Sequence, residues 1–415
     1  MKRLLSLVAL LCFLLCGCGR VGEVIKDVGS NIGHLINGDN LLTEADSTVS
    51  LGIYPDGCEY TDSIGGYLFR QLNPTQQSVY IKIDNAVFNM QTGFIDVGKC
   101  SQRDLELVYY CVRRDRPEYF WLPMAYYMQS VAGNMSIKFA DSESDWLCTA
   151  DERKEAEGKI KTFLTAVLNA MVIETSEFQT ELFLHDCLVD RVTYNKAALS
   201  NMEKHKHAWD IVGAFIEGKA VCEGYTKAMQ VLLNMVGIES TPVTGVSDEP
   251  HMWNMVKIDG EWYHLDATTN DTENSNRHFY FNVTDESATV VRTIDPDFST
   301  VSDDDLGGGA FNYNLPKATA LSANYFVKMG AFVELKEQFS AVLQEQILKA
   351  VKSGKDFVEI GFGAEMGIGK MGNIEEELEL RTVLDEINEQ LQPADRISGY
   401  GWSTIKGSSV IVFSW

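Results

Sequence analysis

A cysteine, a histidine and an aspartate in the middle of the chain could together perform acyl-transfer chemistry. Cys222 follows a glycine-containing turn and begins a stretch with helical spacing. The free N–H groups and the dipole of a helix start favour negative charge, and hence the reactive thiolate. The backbone N–H of Cys222 can also face a developing oxyanion. His251 would take the thiol proton and Asp266 would fix the tautomer of the ring.

The dipeptide Asp259-Gly260, between two apolar runs, predicts a two-residue turn that joins two antiparallel strands. With this turn, Ile258 opposes Glu261 and Trp253 opposes Asp266. Because side chains alternate along a strand, one face is predicted to carry the polar and aromatic set His251, Trp253, Met255, His264 and Asp266. His251 is then a diagonal neighbour of Asp266, at roughly 7–8 Å between Cα atoms, within reach of a hydrogen bond. The other face is predicted to pack on the core with Met252, Val256, Ile258, Tyr263 and Leu265.

Three motifs resemble those of the transglutaminase-like superfamily. The run Gly218-Lys219-Ala220-Val221-Cys222-Glu223-Gly224-Tyr225 resembles its nucleophile motif, in which Cys-x-Gly-aromatic opens a helix. The run His251-Met252-Trp253-Asn254 resembles its histidine strand, and Gly260-Glu261-Trp262-Tyr263-His264-Leu265-Asp266 resembles its aspartate strand. Residues 185–189 and 192–195 are similar to the helix that precedes the core in bacterial members. The resemblance covers roughly residues 183–271, about a fifth of the chain.

The resemblance implies an α+β fold with a papain-like core, in which the helix that carries the cysteine packs on an antiparallel sheet. It also implies that Cys222, His251 and Asp266 form the catalytic triad and need no cofactor. Thr226 stands where Ala or Ser is commoner in such motifs.

The second donor to the oxyanion is less defined. Trp209, upstream of the cysteine, has an indole N–H that could serve, although a partly buried helix residue would look the same. Trp253 and His264 share the catalytic face, where they could line the cleft or support His251.

The expected reaction is ping-pong acyl transfer on protein or peptide amides, through a thioester on Cys222. Resolution by water makes a cysteine peptidase or amidase, and resolution by an amine makes a cross-linking transglutaminase. The triad serves both, with hydrolysis slightly favoured because an envelope site is open to water. The alternatives are a catalytically silent binding or scaffold protein that kept the fold, and an envelope adaptor whose acidic flanking regions bind a partner.

The N-terminus has the form of a targeting segment. Lys2 and Arg3 precede an apolar run, and Leu15-Cys16-Gly17-Cys18 resembles the lipobox of bacterial lipoproteins. The resemblance implies a signal peptide over 1–17, lipidation of Cys18 and a protein on the extracytoplasmic side of the cell membrane. A spanning anchor and an ordinary cleaved signal are the alternatives, but the apolar run is shorter than the ~20 residues a span needs.

Composition restricts the partners. The formal net charge of −24 disfavours nucleic acid, which leaves a protein or peptide substrate and the membrane. His205-Lys206-His207 predicts a solvated surface and no metal site, since two such histidines diverge on a helix. Six cysteines follow the signal region, too few for a disulfide scaffold. Cys58, Cys100, Cys111 and Cys148 could pair in three ways or not at all.

The length of 415 residues and the local patterns predict several regions. After the signal come a tether over 18–50 and a mainly helical region over 51–175, with one short strand at about 135–139. The catalytic core is expected over 176–295, and a linker over 296–314 contains an acidic, glycine-rich stretch. A small α+β module over 315–415 is predicted to contain a helix at 334–352, a strand at 356–362, a helix at 375–391 and a terminal hairpin.

Overall fold

The computed structural model describes residues 52–56, 66–171, 176–272, 275–276, 278–290, 292–294, 314–363, 366, 371, 373–404 and 408–415. The proposed signal peptide and tether, with Cys18, lie outside the described residues, as do Cys58 and nearly all of the predicted linker. In the described part of the chain, no helix is both long enough and apolar enough to cross a membrane.

The first region combines three helices with a small sheet. The helices are α1 (Pro74–Phe88), α2 (Gln102–Asp115) and α3 (Ala150–Ala170). Each starts at a capping box, formed by Asn73, Ser101 and Thr149 respectively, which satisfies free N–H groups of the first turn. The strands β1 (Ile95–Gly98), β2 (Tyr127–Val131) and β3 (Asn134–Lys138) pair antiparallel in the order β1-β3-β2.

This small sheet was only partly expected from the sequence. The strand predicted at 135–139 is present as β3, whereas β1 and β2 were not predicted. Residues of β1 alternate between buried and less buried, but the strand is only four residues long. Most of β2 is exposed, so no apolar face marks it as a strand.

The central region is built on an antiparallel sheet of five strands. Its strands are β6 (Ser240–Val246), β7 (Pro250–Ile258), β8 (Glu261–Leu265), β11 (Phe281–Val283) and β12 (Thr293–Ile294). Their order is β11-β8-β7-β6-β12. Two helices, α4 (Glu177–Arg191) and α5 (Cys222–Met235), pack on each other, and α5 packs on β6 and β7. Shorter elements are β4 (Thr193–Tyr194), β5 (Lys219–Ala220), α6 (Ala267–Asn270), β9 (Asp271–Thr272), β10 (Ser275–Asn276) and α7 (Asp285–Ala288).

Helix α5 is buried over almost its whole length. Tyr225, Met229 and Leu232, which recur at helical spacing, are fully buried in one hydrophobic cluster with Val256 and Leu265 of the sheet. This packing fixes the start of the helix relative to strands β7 and β8.

The last region is a second α+β unit. Its helices are α8 (Tyr325–Lys328), α9 (Phe339–Lys352), α10 (Ile374–Glu377) and α11 (Leu380–Gln390). Its strands β13 (Phe332–Val333), β14 (Phe357–Phe362), β15 (Gly401–Thr404) and β16 (Val410–Ser414) form a sheet in the order β13-β14-β16-β15. The helix predicted over 375–391 is two helices, because Glu379 adopts a positive φ of 51° between them.

The last region packs directly on the central sheet. One hydrophobic cluster joins side chains of the last region to three residues in and just before β11, which are Phe279, Tyr280 and Val283. Ala318 is fully buried against Trp253 and Met255 on the other side of the sheet from α5. The segment that leads into the last region therefore covers the face that carries the histidine strand's aromatic residues.

Candidate active site

Cys222 is the first residue of α5 and is partly exposed. Val221 precedes it as the N-cap and makes no side-chain cap, so no side chain of the N-cap occupies the N–H groups of the first turn. The hydroxyl of Thr226, the departure from the commoner Ala or Ser, donates to the carbonyl oxygen of Cys222 at 2.8 Å. This bond ties the cysteine backbone to the next turn of the helix.

The glycine of the cysteine motif allows a close approach of two chain segments. A Cβ on Gly224 would lie 2.6 Å from the carbonyl oxygen of Ala208 and 2.8 Å from Cβ of Ala220. Both neighbours precede the cysteine in sequence, and the N–H of Val221 donates to that same carbonyl of Ala208. The segment before the cysteine can therefore lie flat against the first turn of α5 only because residue 224 has no side chain.

The hairpin that carries His251 and Asp266 has the register predicted from the sequence. Ile258 pairs with Glu261, and the pairing continues to Asn254 opposite Leu265. Asp259 and Gly260 both have positive φ, at 52° and 87°, as a type I′ turn requires. The register brings the two side chains together, and Nε2 of His251 donates to Oδ2 of Asp266 at 2.8 Å.

The thiol of Cys222 completes the group, since it lies close enough to His251 for its hydrogen bonding and charge to raise the pKa of the imidazole. Since Nε2 of His251 bonds Asp266, the other ring nitrogen, Nδ1, is left for the thiol. The structure thus brings all three predicted residues into one chain of contacts, at the start of α5 and the ends of β7 and β8.

The charges of the group keep His251 protonated through neutral pH. Burial by itself would lower the pKa of His251, but the charge and hydrogen bond of Asp266, with the hydrogen bond and charge of Cys222, raise it to about 10. Burial would likewise raise the pKa of Asp266. The charges of His251 and Arg292, with hydrogen bonds from His251 and Thr269, instead hold it far below its usual range.

Asp266 is buried and has partners that the sequence analysis missed. Its Oδ1 accepts from the N–H of Thr269 at 3.0 Å, and its Oδ2 accepts from the hydroxyl of Thr269 at 2.7 Å. Nη1 of Arg292 lies 2.7 Å from the same Oδ2. Thr269 follows the aspartate by three residues, which is N-cap spacing for α6, so that contact had a signal in the sequence. Arg292 is 26 residues away and had none.

Trp253 supports the histidine and does not face the oxyanion site. Its ring stacks on that of His251, with centroids 5.8 Å apart and planes at 24°. Its indole N–H donates to Nδ1 of His264 at 2.9 Å, and Nε2 of His264 in turn donates to Asp285 at 2.9 Å. Because only 1% of Trp253 is exposed and its N–H is occupied, it fits the supporting role and not that of oxyanion donor or cleft wall.

Trp209 and Tyr194 pack close to the residue that precedes the cysteine. Both are partly buried around a small apolar cluster that includes Val221. The role of Trp209 as second oxyanion donor stays a prediction. Tyr194 pairs with Ala220 in a short parallel bridge, and its pKa is raised by burial and by the charge of the nearby Cys222. Tyr194 had no predicted role of its own.

A second buried cluster of ionisable side chains lies beside the site. In the part of the chain that the structure describes, one group of side chains has residue types that could bind a metal ion. It consists of His185, Asp186 and His278. Oδ1 of Asp186 accepts from Nδ1 of His185 at 2.9 Å and from Nε2 of His278 at 2.8 Å. The amide of Asn270 donates to Nε2 of His185, and its oxygen accepts from the N–H of Tyr280. Hydrogen bonds thus join the three side chains to one another and to Asn270, in the segment that follows Asp266.

The described cysteines other than the nucleophile do not form disulfides. Cys100, Cys111, Cys148 and Cys187 are free thiols, as is Cys222. Burial raises the pKa of each of the four others, to about 11 for Cys148. Of the four cysteines that could have paired in three ways, Cys58 lies outside the described residues. The other three, Cys100, Cys111 and Cys148, form no disulfide with one another.

Comparison with known proteins identifies the central region. The family model of the transglutaminase-like superfamily matches residues 167–267, a range that contains all three residues of the triad. No curated protein sequence matches the chain. A solved structure described as the crystal structure of a TGase is 15% identical, with a TM-score of 0.27, over 43% of this chain and 50% of its own. Another, described as a "Putative Cysteine Protease" from Cytophaga hutchinsonii, is 13% identical with a TM-score of 0.23, over 46% of this chain and 73% of its own. The chain thus spans half the length of the first of these structures.

Proposed function

Because residues 167–267 form a transglutaminase-like domain, we propose that this protein is a cysteine acyltransferase that acts on carboxamide or peptide groups of proteins in the cell envelope. The observation that carries the proposal is the chain of contacts from Cys222 to His251 to Asp266. It joins a thiol at a helix start to an imidazole whose other nitrogen is held at 2.8 Å by a buried carboxylate.

The steps of the reaction follow from these contacts. The Cys222 thiolate attacks the carbonyl carbon of the substrate, and a C–S bond forms while the carbonyl oxygen takes the negative charge. In this proposal the backbone N–H of Cys222, at the start of α5 where the N-cap makes no side-chain bond, stabilises that oxyanion. His251 then gives its proton to the leaving amine as the C–N bond breaks, which leaves a thioester on Cys222.

The second half of the reaction uses the same residues. His251, now neutral, removes a proton from water or from a primary amine, which attacks the thioester and releases Cys222 as thiolate. Asp266 stays ionised throughout and stabilises the imidazolium each time it forms. Water gives hydrolysis and an amine gives a cross-link, and we favour hydrolysis because water is in large excess at a surface-exposed site.

We place the protein on the extracytoplasmic side of the cell membrane, held by a lipid on Cys18. The support for this location is the resemblance of residues 15–18 to a lipobox after a short basic and apolar segment. Incorporation of labelled palmitate into the wild type and its absence in Cys18→Ala, with Cys16→Ala as the matched control, would test it.

Thiol labelling tests the catalytic proposal. We expect a neutral chloroacetamide reagent to modify Cys222 at least about tenfold faster than Cys100 at pH 7, because only Cys222 has an imidazolium beside it. Cys100 is the matched internal reference, since it is also partly exposed and burial raises its pKa. Peptide mass spectrometry of the labelled protein gives both rates in one sample.

His251→Ala is the variant that decides the outcome. It should remove the advantage of Cys222 and leave the rate at Cys100 unchanged. Equal, slow labelling of the two cysteines in the wild type would favour a silent fold that binds a partner. Incubation with casein and a tagged primary amine then separates the two reactions, because cross-linking incorporates the tag and hydrolysis releases peptides or ammonia.

A further inference from the structure

A buried arginine contacts the carboxylate of the triad. Only 5% of Arg292 is exposed, although arginine is almost never fully buried without a partner. It lies immediately before β12, at the edge of the sheet that is farthest from β8 and its aspartate. Its side chain therefore reaches across the sheet face to arrive at Asp266.

Polar groups of neighbouring residues and two aromatic rings hold the guanidinium of Arg292. Nη1 lies 2.7 Å from Oδ2 of Asp266, and Nη2 donates to the hydroxyl of Thr269 at 2.9 Å. That hydroxyl itself donates to Oδ2 of Asp266. The cation lies 3.7 Å from the ring centroid of Tyr280 and 5.3 Å from that of Trp253. These contacts hold the positive charge of the guanidinium beside the carboxylate of Asp266.

The arginine and the catalytic histidine share one acceptor atom. Both Nε2 of His251 and Nη1 of Arg292 lie within 2.8 Å of Oδ2 of Asp266. A carboxylate buried to 1% exposure with a single cationic partner would bind that partner very tightly. A permanent second cation on the same oxygen weakens the hold of the carboxylate on the imidazolium.

We propose that Arg292 is a positioning residue of the triad, which fixes the Asp266 carboxylate and compensates its charge so that His251 can release its proton to the leaving group. This inference rests on the proposed acyl-transfer function. Arg292 contacts neither the substrate nor the thiol in this scheme, and it acts through Asp266 alone.

The groups that set the titration of His251 come from several elements. Cys222 of α5 and Asp266 contact it directly. Arg292 contacts Asp266, the charges of both residues act on Tyr280, and the charges of Cys222 and Glu249 act on Tyr194. The ring of Trp253 covers one face of the imidazole and carries no charge. Removal of the one permanent cation in this set is expected to raise the pKa of His251, because its carboxylate partner is no longer shared.

The test compares Arg292→Met with Arg292→Lys. The pKa of His251 is followed by NMR of labelled imidazole carbons, with His251→Ala to assign its signal among the seven histidines. In Arg292→Met we expect an increase of about one unit in that pKa, which is the size of shift that a nearby charge produces. Release of peptides or incorporation of amine with casein at pH 8 should fall about tenfold, because a more basic imidazole gives up its proton less readily.

Arg292→Lys keeps the charge and loses the planar fork. We expect the His251 pKa to stay within about 0.3 units of the wild type and most of the casein activity to remain. An unchanged or lower His251 pKa in folded Arg292→Met would overturn the inference. If Arg292→Met does not fold, Arg292→Lys decides. A shift of a full unit in its His251 pKa, or a tenfold loss of its activity, would also overturn the inference.

The two proposals fail in distinguishable ways. Slow chloroacetamide labelling of wild-type Cys222 would remove the proposed acyl-transfer function. Fast labelling of wild-type Cys222, together with a His251 titration that ignores the charge at residue 292, would leave that function intact and remove only the role of Arg292.

Discussion

At the scale of single residues, the site depends on ionisable groups whose buried charges are matched in pairs. Asp266 lies between two cations, and His251 lies between two acidic groups, the carboxylate and the thiol. A buried charge without a partner costs several kcal/mol, so the imidazolium of His251 and the carboxylate of Asp266 each stabilise the charge of the other. This coupling explains why the pKa of the aspartate is lowered and that of the histidine raised, although burial acts against both shifts.

The tryptophan that stacks on His251 gives a test of the residue roles in the proposed reaction. In Trp253→Phe, a ring still stacks on His251 but Nδ1 of the buried His264 loses its donor. We expect a loss of about 2 kcal/mol in unfolding free energy, since an unsatisfied buried acceptor costs about 1–3 kcal/mol. Casein activity should fall less than about fivefold, because the indole N–H does not face the thioester. Denaturant unfolding and the casein assay measure the two effects.

Trp262→Phe is the matched control. Trp262 is a partly buried tryptophan on β8 that packs edge-on against Tyr67, with centroids 5.3 Å apart. Its substitution should cost less stability than that of Trp253 and leave activity unchanged. A loss of a hundredfold or more in activity for folded Trp253→Phe would show instead that its indole takes part in the reaction.

At the scale of elements, a helix start and one hairpin position the triad, and both had strong local signals. The Asp259-Gly260 turn fixes the register by itself, so the proximity of His251 and Asp266 followed from counting residues. The burial of α5 followed from its apolar spacing. These parts were predictable because turn chemistry and periodicity act over a few neighbouring residues.

Other contacts of the site had no local signal. Arg292 reaches Asp266 only because β12 pairs with β6, and that strand is two residues long. His185 and His278 meet at Asp186 across about ninety residues of sequence. Contacts of this kind depend on the whole chain packing, which patterns within a short window do not encode. For the same reason, the commitment of the Trp253 N–H to His264 was not foreseen.

Strand β12 needs a glycine on the neighbouring strand, which gives a test of the element that carries Arg292. A Cβ on Gly245 would lie 2.1 Å from the backbone oxygen of Thr293 and 2.8 Å from the ring of Trp253. Gly245→Ala must therefore push β12 away and displace the adjacent Arg292. We expect a loss of about 1–3 kcal/mol in unfolding free energy, the usual cost of overpacking, and reduced casein activity. Chemical denaturation and the casein assay check both.

The same substitution at an open site serves as the control. Gly158 lies in helix α3, and a Cβ there would meet nothing within 4 Å. Gly158→Ala should stabilise the protein by about 0.5–1 kcal/mol, because alanine is the better helix former, with no effect on activity. A Gly245→Ala protein as stable and active as the wild type would mean that the position of β12 does not matter to the site.

At the scale of the whole molecule, the active site is supported from both faces of one sheet. Helix α5 and the first region pack on one face, in a single hydrophobic cluster. The segment around Ala318 covers the other face at Val243, Trp253 and Met255. The family match at 167–267 ends well before Ala318, so the candidate active site has supporting contacts beyond the matched residues.

The contacts across the predicted linker are polar as well as apolar. The hydroxyls of Tyr263 and Ser322 are 2.9 Å apart, and the N–H of Asp285 donates to the carbonyl of Ala318 at 2.7 Å. Asp285 is also the acceptor for His264, which holds Trp253. The last region is thus connected through a short series of hydrogen bonds to the ring that stacks on His251.

A cut in the predicted linker should therefore leave the protein assembled and active. We would insert a site for a specific protease between residues 303 and 309 and cleave the purified protein there. Because buried apolar side chains and hydrogen bonds join the two fragments, we expect them to elute together in gel filtration and to separate only in denaturant. The rate of Cys222 labelling should match that of the uncut protein.

Ala318→Asp, which places a charge in the buried cluster, is the matched variant and should weaken the association. The cut Ala318→Asp fragments could separate in native buffer with the labelling rate at Cys222 unchanged. That result would show that the proposed catalytic domain does not need the last region.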